Sequence, residues 1–230
     1  MSIERRKIRF IEIVAGLMLI LSVLSLMVAF LLNFDYTVPN ATFAEDIDFL
    51  MDNIARQQVS AIAWIVAAAV NLLFLPAYLI MFHRFQKGMH LFSGFFILVM
   101  AFAFFNTGLR EMHIAGLTAA SIDQPIIENE EATRNILLNI KHIIILFKIG
   151  ITAFGAFATV FTISRFRAVK FPVFGSAMAF LAGPVVIAFT WLNPGHIIMT
   201  LALAVAWTGL IIVGAKLVVQ GLKERQEKTI

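Results

Sequence analysis

The residues best equipped for chemistry in this chain are ionisable side chains that border three apolar stretches. Glu111 and His113 follow one stretch, His142 precedes the next, and His196 precedes the last. Imidazole and carboxylate groups together are suitable ligands for zinc, iron or copper. One hypothesis is therefore a divalent metal site formed by these four residues, or a haem held by two of the histidines. No HxxxH or HxxEH motif accompanies them.

A second hypothesis for the same region is an outward-facing polar ligand pocket. Asn106, Arg110 and His113 are spaced i, i+4 and i+7, so they share one helical face. Ionisable groups within apolar stretches usually face a bundle interior or a wet cavity. The basic members would suit an anion or a lipid headgroup, and the alternative is that all simply face water or headgroups at the interface. The candidate pocket residues are Asn106, Arg110, Glu111, Lys141, Lys148 and Asn71.

Composition indicates the environment that must position these residues. Of 230 residues, 60% are hydrophobic and 14% are charged, whereas a soluble domain carries about 25% charged residues. Cysteine is absent, which excludes disulfides, thiolate metal ligands and cysteine nucleophiles. These values exclude a disordered chain, a disulfide-stapled domain and a nucleic-acid-binding domain. They favour a polytopic membrane protein.

Six apolar segments are long enough to cross a bilayer, which requires about 20 residues each. We therefore predict an all-α bundle of six transmembrane helices that forms one domain over residues 1–230. The predicted spans are about 13–32, 60–82, 91–109, 143–163, 171–192 and 197–219. Two long loops, 35–59 and 112–134, lie at the same end of this bundle.

The first long loop contains a helix signal. Thr42 and Glu45 form a capping-box pattern, which is typical of a helix start. Apolar residues then recur at helical spacing. We predict a short amphipathic helix over 43–55 that packs on the bundle or the membrane surface through Ile47, Leu50, Met51 and Ile54.

The fourth span has two different faces. One face carries small and polar residues, which is typical of a helix–helix contact, namely Lys141, Lys148, Thr152, Gly155, Thr159 and Thr162. The other face should contact lipid through Ile149, Phe154, Phe157 and Phe161. Lys148 has two alternatives, pairing in the interior or snorkelling to the headgroups. The fifth span has small residues at a spacing that predicts close packing, namely Gly175, Ala179 and Gly183. In the second span, Asn71 needs a hydrogen-bond partner within the bundle.

The stretch 147–186 combines a glycine-bearing helix, a short basic turn, a proline at the next helix start and further glycines. It reads FKIGITAFGAFATVFTISRFRAVKFPVFGSAMAFLAGPVV. This resembles an uncharacterised bacterial family of six-helix integral membrane proteins, which also shares the basic N-terminus and the long first outer loop. The resemblance implies the architecture and no activity. The chain departs from the family in the charged residues of its third and fourth spans.

These observations lead to three functional hypotheses. The first is a non-enzymatic accessory subunit or sensor with an outward-facing polar pocket. The second is a membrane redox protein or hydrolase with metal or haem at the His/Glu cluster, and the third is a small transporter. The expected partners are the lipid bilayer and other membrane subunits or a second copy of the chain. Nucleic acid is not expected as a partner, and a bacterial or archaeal plasma membrane is the expected location.

The distribution of basic residues predicts the orientation. Thirteen of 18 Lys and Arg residues lie in the two terminal segments and the two short loops, and such residues accumulate on the cytoplasmic side. Both termini should therefore be cytoplasmic. In the cysteine-free chain, a membrane-impermeant thiol reagent applied to intact cells should label Asp48→Cys. It should label Lys228→Cys only after permeabilisation, and the reverse pattern would contradict this orientation.

Overall fold

The structure is a computed structural model that describes residues 3–33, 49–82, 87–120, 130–166, 173–194 and 196–226. Within these ranges there is no β-strand, and the all-α prediction is confirmed. The six long helices are α1 (Ile3–Leu31), α2 (Ile54–Phe82), α3 (Lys87–Ala120), α4 (Glu130–Phe166), α5 (Val173–Leu192) and α6 (Ile197–Gln226).

Each helix contains an apolar segment of between 20 and 33 residues. At 1.5 Å per residue, 20 residues extend about 30 Å, the thickness of the hydrocarbon core. Large apolar side chains remain exposed on all six helices, including Leu17, Leu73, Phe102, Leu181 and Leu201. The chain is thus an integral membrane helix bundle whose outer surface contacts lipid.

Five of the six helices extend beyond their predicted spans, and at the loop end α3 and α4 do so most. The predicted third span ended near residue 109 and the predicted outer loop covered 112–134, but α3 continues to Ala120 and α4 already begins at Glu130. The apolar segments of the sequence indicate only the length of helix that crosses the membrane. The helices continue because Ile114 and Ile136, beyond the predicted span ends, pack together at the loop end of the bundle.

The six helices form a closed ring in chain order. Each helix packs extensively on the next one along the chain, and α6 packs on α1 to close the ring. Every helix therefore has two neighbours, one face towards the centre and one face towards lipid. Among the described residues, the clearest contact across the ring is a small one between α4 and α6.

Three of the ring contacts bring helix backbones close together at paired glycines. A Cβ atom on Gly16 of α1 would lie 2.6 Å from the carbonyl oxygen of Gly214 on α6. On α5, a Cβ on Gly175 would lie 2.9 Å from Gly209 O of α6, and a Cβ on Gly155 of α4 would lie 2.8 Å from Gly183 O. The predicted close-packing face of the fifth span is confirmed.

The contact between α1 and α2 is polar instead. The Ser22 hydroxyl donates to Asn71 Oδ1 at 2.5 Å, and the Asn71 amide donates to the carbonyl of Ala67 at 2.7 Å. Trp64 Nε1 donates to Asn33 Oδ1 at 3.0 Å. Asn71 thus has the partner that a polar group in hydrocarbon requires.

The prediction that the phenylalanines of the fourth span face lipid is wrong. Phe154, Phe157 and Phe161 are all buried, and their rings pack with Phe74 and Tyr78 of α2 and with Trp207 of α6. In a closed ring the small face of α4 contacts α5, so the opposite aromatic face is available to fill the centre.

The glycine contacts give a stability prediction. Gly155→Ala should lower the free energy of unfolding by about 1–3 kcal/mol, because the new methyl group would overlap backbone atoms of α5. Gly116→Ala is the matched control, since a Cβ at Gly116 meets nothing within 4 Å. Thermal unfolding in detergent measures both. Equal midpoints for the two variants would show that the α4–α5 approach is not tight.

Candidate functional site

Glu111 is the only acidic residue among the fully buried polar side chains of the described residues. It contacts the side chain of Ser60, but neither carboxyl oxygen has a partner at hydrogen-bonding distance and angle within the described part of the chain. Its polar neighbours on α3 do not compensate. The hydroxyls of Thr107 and Thr118 donate to carbonyls of their own helix, so they are engaged elsewhere.

The inner face of α2 supplies the second polar element. Gln57, Ser60 and Trp64 follow one another at helical spacing, and all three are buried. Gln57 Nε2 donates to the carbonyl of Leu50 at 2.7 Å, whereas its Oε1 has no partner among the described residues. A Cβ on Gly108 would lie 2.6 Å from Ala61 O, so α3 approaches α2 closely one turn from Glu111.

A third helix brings His142 to the same level. A Cβ on Gly150 of α4 would overlap the ring of Phe104 on α3, which fixes the register of these antiparallel helices. Glu111 lies seven residues and His142 eight residues from that contact, both towards the loop end of the bundle, or about 10–12 Å along the helices. His142 Nδ1 is also buried and has no partner within the described ranges. Three helices thus each present an unpartnered polar atom at one level.

We call Gln57, Ser60, Glu111 and His142 the polar pocket. The helical turn at 49–52 covers its outer end, where Leu50 packs against Ile114, Ile136 and Ile143. We call these four residues the apolar cap.

Residues 49–55 are the described part of the amphipathic helix that was predicted over 43–55. Residues 43–48, including Ile47, lie outside the described residues. Residues 49–52 are helical and Leu50 packs on the bundle, as predicted. The predicted continuation is wrong, because the helix breaks at Asn53 and Ile54 begins α2.

Aromatic side chains form the inner boundary of the polar pocket. The rings of Trp64 and Phe104 stack with centroids 4.6 Å apart, and Phe147 meets Trp64 edge-on at 5.6 Å. Below them lies a void of about 10 Å³, lined by residues of five helices that include Phe154 and Trp207. This is about the space of one water molecule, and its lining is predominantly apolar.

Most residues of the predicted ligand pocket do not lie together in the structure. Arg110 donates to Asn139 Oδ1 at 2.8 Å, the Asn106 amide donates to the carbonyl of Phe102, and Lys141 is exposed. Asn71 bonds to α1 and lies 11 residues deeper than Ser60, a separation of about 16 Å. Of the predicted set, only Glu111 belongs to the polar pocket.

Lys148 lies in the groove between α4 and α5. Its Nζ is 5.5 Å from the ring centroid of Trp191, an exposed residue, and Trp191 Nε1 donates to Thr152 Oγ1 at 2.9 Å. This arrangement agrees with the snorkelling alternative, in which a cation–π contact holds the lysine near the bundle edge. Lys148 therefore packs towards α5, whereas Glu111 contacts α2.

The predicted metal site is not formed. Within the described ranges, no three His, Asp or Glu side chains lie close enough together to hold a metal ion. His113 is exposed, and His196 packs on the ring of Phe189 at 5.4 Å while its Nδ1 accepts from the backbone N–H of Ile198. The physical reason is the ring order, because α6 lies between α5 and α1 and is not a neighbour of α3.

Sequence reasoning missed Gln57. The spacing of Gln57, Ser60 and Trp64 along one face was a visible signal, but the predicted second span began at residue 60 and excluded it. His142 was included as a metal ligand, and the structure places its buried Nδ1 on α4 at about the level of Glu111 on α3.

Comparisons with known proteins add no assignment. No protein-family model matches the chain, and neither curated proteins nor solved structures give a match. The resemblance to a bacterial six-helix family therefore stays a prediction.

The unpartnered carboxyl group predicts an unusual stability effect. Glu111→Leu should raise the free energy of unfolding by about 1–3 kcal/mol, because it removes a buried carboxyl group whose oxygens have no partner in good hydrogen-bond geometry among the described residues. Asn71→Leu is the control, since Asn71 is equally buried but fully bonded, and this variant should be less stable. Thermal unfolding in detergent tests both. A loss of stability in Glu111→Leu would mean that the carboxyl group has a structural role.

Proposed function

We propose that this protein is a non-enzymatic membrane sensor or accessory subunit that binds a small ligand in the polar pocket. The observation that supports this proposal is the fully buried Glu111 whose two carboxyl oxygens lack hydrogen-bond partners among the described residues. With both termini in the cytoplasm, as the basic residues predict, the pocket lies in the outer half of the bundle. A ligand would reach it from outside.

The energetic argument is the cost of unpaired polar groups. A buried polar group without a hydrogen bond costs about 1–3 kcal/mol, and the cost is higher for a charged group. Such groups are rare and require an explanation. The polar pocket concentrates them at one level on three helices. A ligand that bonds to these atoms would recover the lost free energy, so the arrangement favours binding.

The apolar cap gives the ligand an entry route. The turn at 49–52 packs on the bundle through the buried Leu50 and the half-buried Phe49 and Met51, and Gln57 Nε2 donates a hydrogen bond to the Leu50 carbonyl. Displacement of this turn would open the pocket and release the Gln57 amide for the ligand. Ligand binding and displacement of this turn would therefore be coupled, as a sensor requires.

The aromatic boundary favours a binding pocket over a transport path. Trp64, Phe104 and Phe147 close the inner side of the polar pocket, and the void beneath them is lined mainly by apolar groups. A path through the bundle would need polar groups that continue from Glu111 towards the opposite end.

Access to the pocket can be measured because the chain has no cysteine. Ser60→Cys should react slowly with a small impermeant thiol reagent applied from the loop side, since the cap must open first. Adding Leu50→Ala should accelerate the reaction about tenfold or more, because losing this contact costs about 2–5 kcal/mol.

Ala67→Cys is the control for non-specific opening. Ala67 is as buried as Ser60 but lies beyond Trp64 on α2, so it should stay unlabelled with or without Leu50→Ala. Equal rates for Ser60→Cys in both backgrounds would contradict the cap. Labelling of Ala67→Cys as fast as Ser60→Cys would contradict a closed pocket.

A further inference from the structure

We propose that the ligand of the polar pocket is a monovalent cation, either an inorganic ion or the ammonium group of a small amine. This inference rests on the proposed function and specifies the chemical class of the ligand. The argument uses the unpartnered atoms, the number of charges that the pocket can neutralise and the charge of the surrounding loops.

The unpartnered oxygens in the pocket are hydrogen-bond acceptors. They are both carboxyl oxygens of Glu111 and the Oε1 atom of Gln57, and an ionised carboxylate can only accept. His142 Nδ1 is a further acceptor when the ring carries its proton on Nε2. When Glu111 is ionised, the Ser60 side chain is the one hydrogen-bond donor known to contact this set within the described residues, and the set lacks a positive charge. A cation supplies that charge, through N–H groups or through direct coordination by oxygen.

An anion does not fit the same space. The three basic residues that the sequence offered for an anion pocket are engaged or remote. Arg110 bonds to Asn139, Lys148 lies over Trp191, and Lys141 is exposed. An anion in the pocket would meet the oxygen atoms of Glu111 and Gln57 without a compensating charge.

The pocket carries one carboxylate, which limits the charge of the cation. Divalent Ca²⁺ takes 6–8 oxygen ligands, often from several carboxylates, and Mg²⁺ demands octahedral geometry. In the part of the chain that the structure describes, Glu111 does not belong to any group of three His, Asp or Glu side chains that could hold a metal ion. One carboxylate and a few neutral acceptors match a single positive charge.

The charge at the loop end of the bundle also favours cations. Between Asp35 and Lys148 on this side of the membrane, the sequence has ten acidic residues, of which nine lie outside the pocket, and five basic residues. An excess of one sign around a cleft concentrates ions of the opposite sign. The acidic excess between Asp35 and Lys148 should therefore attract cations and repel anions on this side of the membrane.

Thermal unfolding of the purified full-length protein tests the proposal at constant ionic strength. Sodium chloride and methylammonium chloride are the two probes, and choline chloride, whose bulky quaternary ammonium has no N–H donor, is the reference salt. A bound cation at about ten times its dissociation constant should raise the midpoint by roughly 3–6 °C. Glu111→Gln should abolish the rise, and Glu131→Gln, which changes an exposed acid at the same end of the bundle, should retain it.

Each outcome separates the alternatives. A rise with sodium alone identifies an inorganic ion, and a rise with methylammonium alone identifies an ammonium ligand. Equal midpoints in all three salts, or a rise that persists in Glu111→Gln, would overturn the proposal. If Glu111→Gln does not fold, Gln57→Leu should weaken the rise, and an unchanged rise there would also overturn it. If no salt raises the midpoint but Leu50→Ala still accelerates the labelling of Ser60→Cys, the cation proposal is rejected. The proposed ligand pocket is then retained.

Discussion

The close approach of helix backbones at glycine is the constraint on which the rest of this structure depends. Gly16 meets Gly214, Gly175 meets Gly209, and Gly155 meets Gly183 without intervening side chains. In a bilayer, helices gain little from hydrophobic burial against one another, so packing of small residues is what holds them together. These contacts allow six helices to close into a ring, and closure decides which face of each helix lies inside.

The ring also explains why one carboxyl group differs from the other polar groups. Thr107, Thr162 and Thr190 bond to carbonyls of their own helices, and Ser22 bonds to Asn71 across the α1–α2 contact. Each is satisfied inside the protein, as the hydrocarbon environment requires. Glu111 faces α2, where the Ser60 side chain contacts it, but neither carboxyl oxygen has a partner in good hydrogen-bond geometry among the described residues. Its burial is a property of the closed ring.

The apolar cap and the aromatic boundary enclose the polar pocket that contains Glu111. Leu50 covers the polar pocket on the loop side, while Trp64 and Phe104 close it from below. A polar site that is sealed on both sides by apolar groups is costly without a ligand and stable with one. In the proposed function, the hydrogen bond from Gln57 to the backbone of Leu50 would couple ligand binding to the cap, because the same side chain contacts both.

Hydropathy and helical spacing in the sequence were sufficient to determine the six helices, the small face of α4 and the packing face of α5, because these depend on local composition. The extensions of α3 and α4 and the burial of Phe154 depend on contacts between distant segments. Charge and proximity to a span end marked Glu111, His113, His142, His196 and Lys148 as one group. Only the tertiary structure separated His113, His196 and Lys148 from Glu111 and His142. The order of helices in a ring decides which side chains meet, and that order is not encoded in the spacing along any single helix.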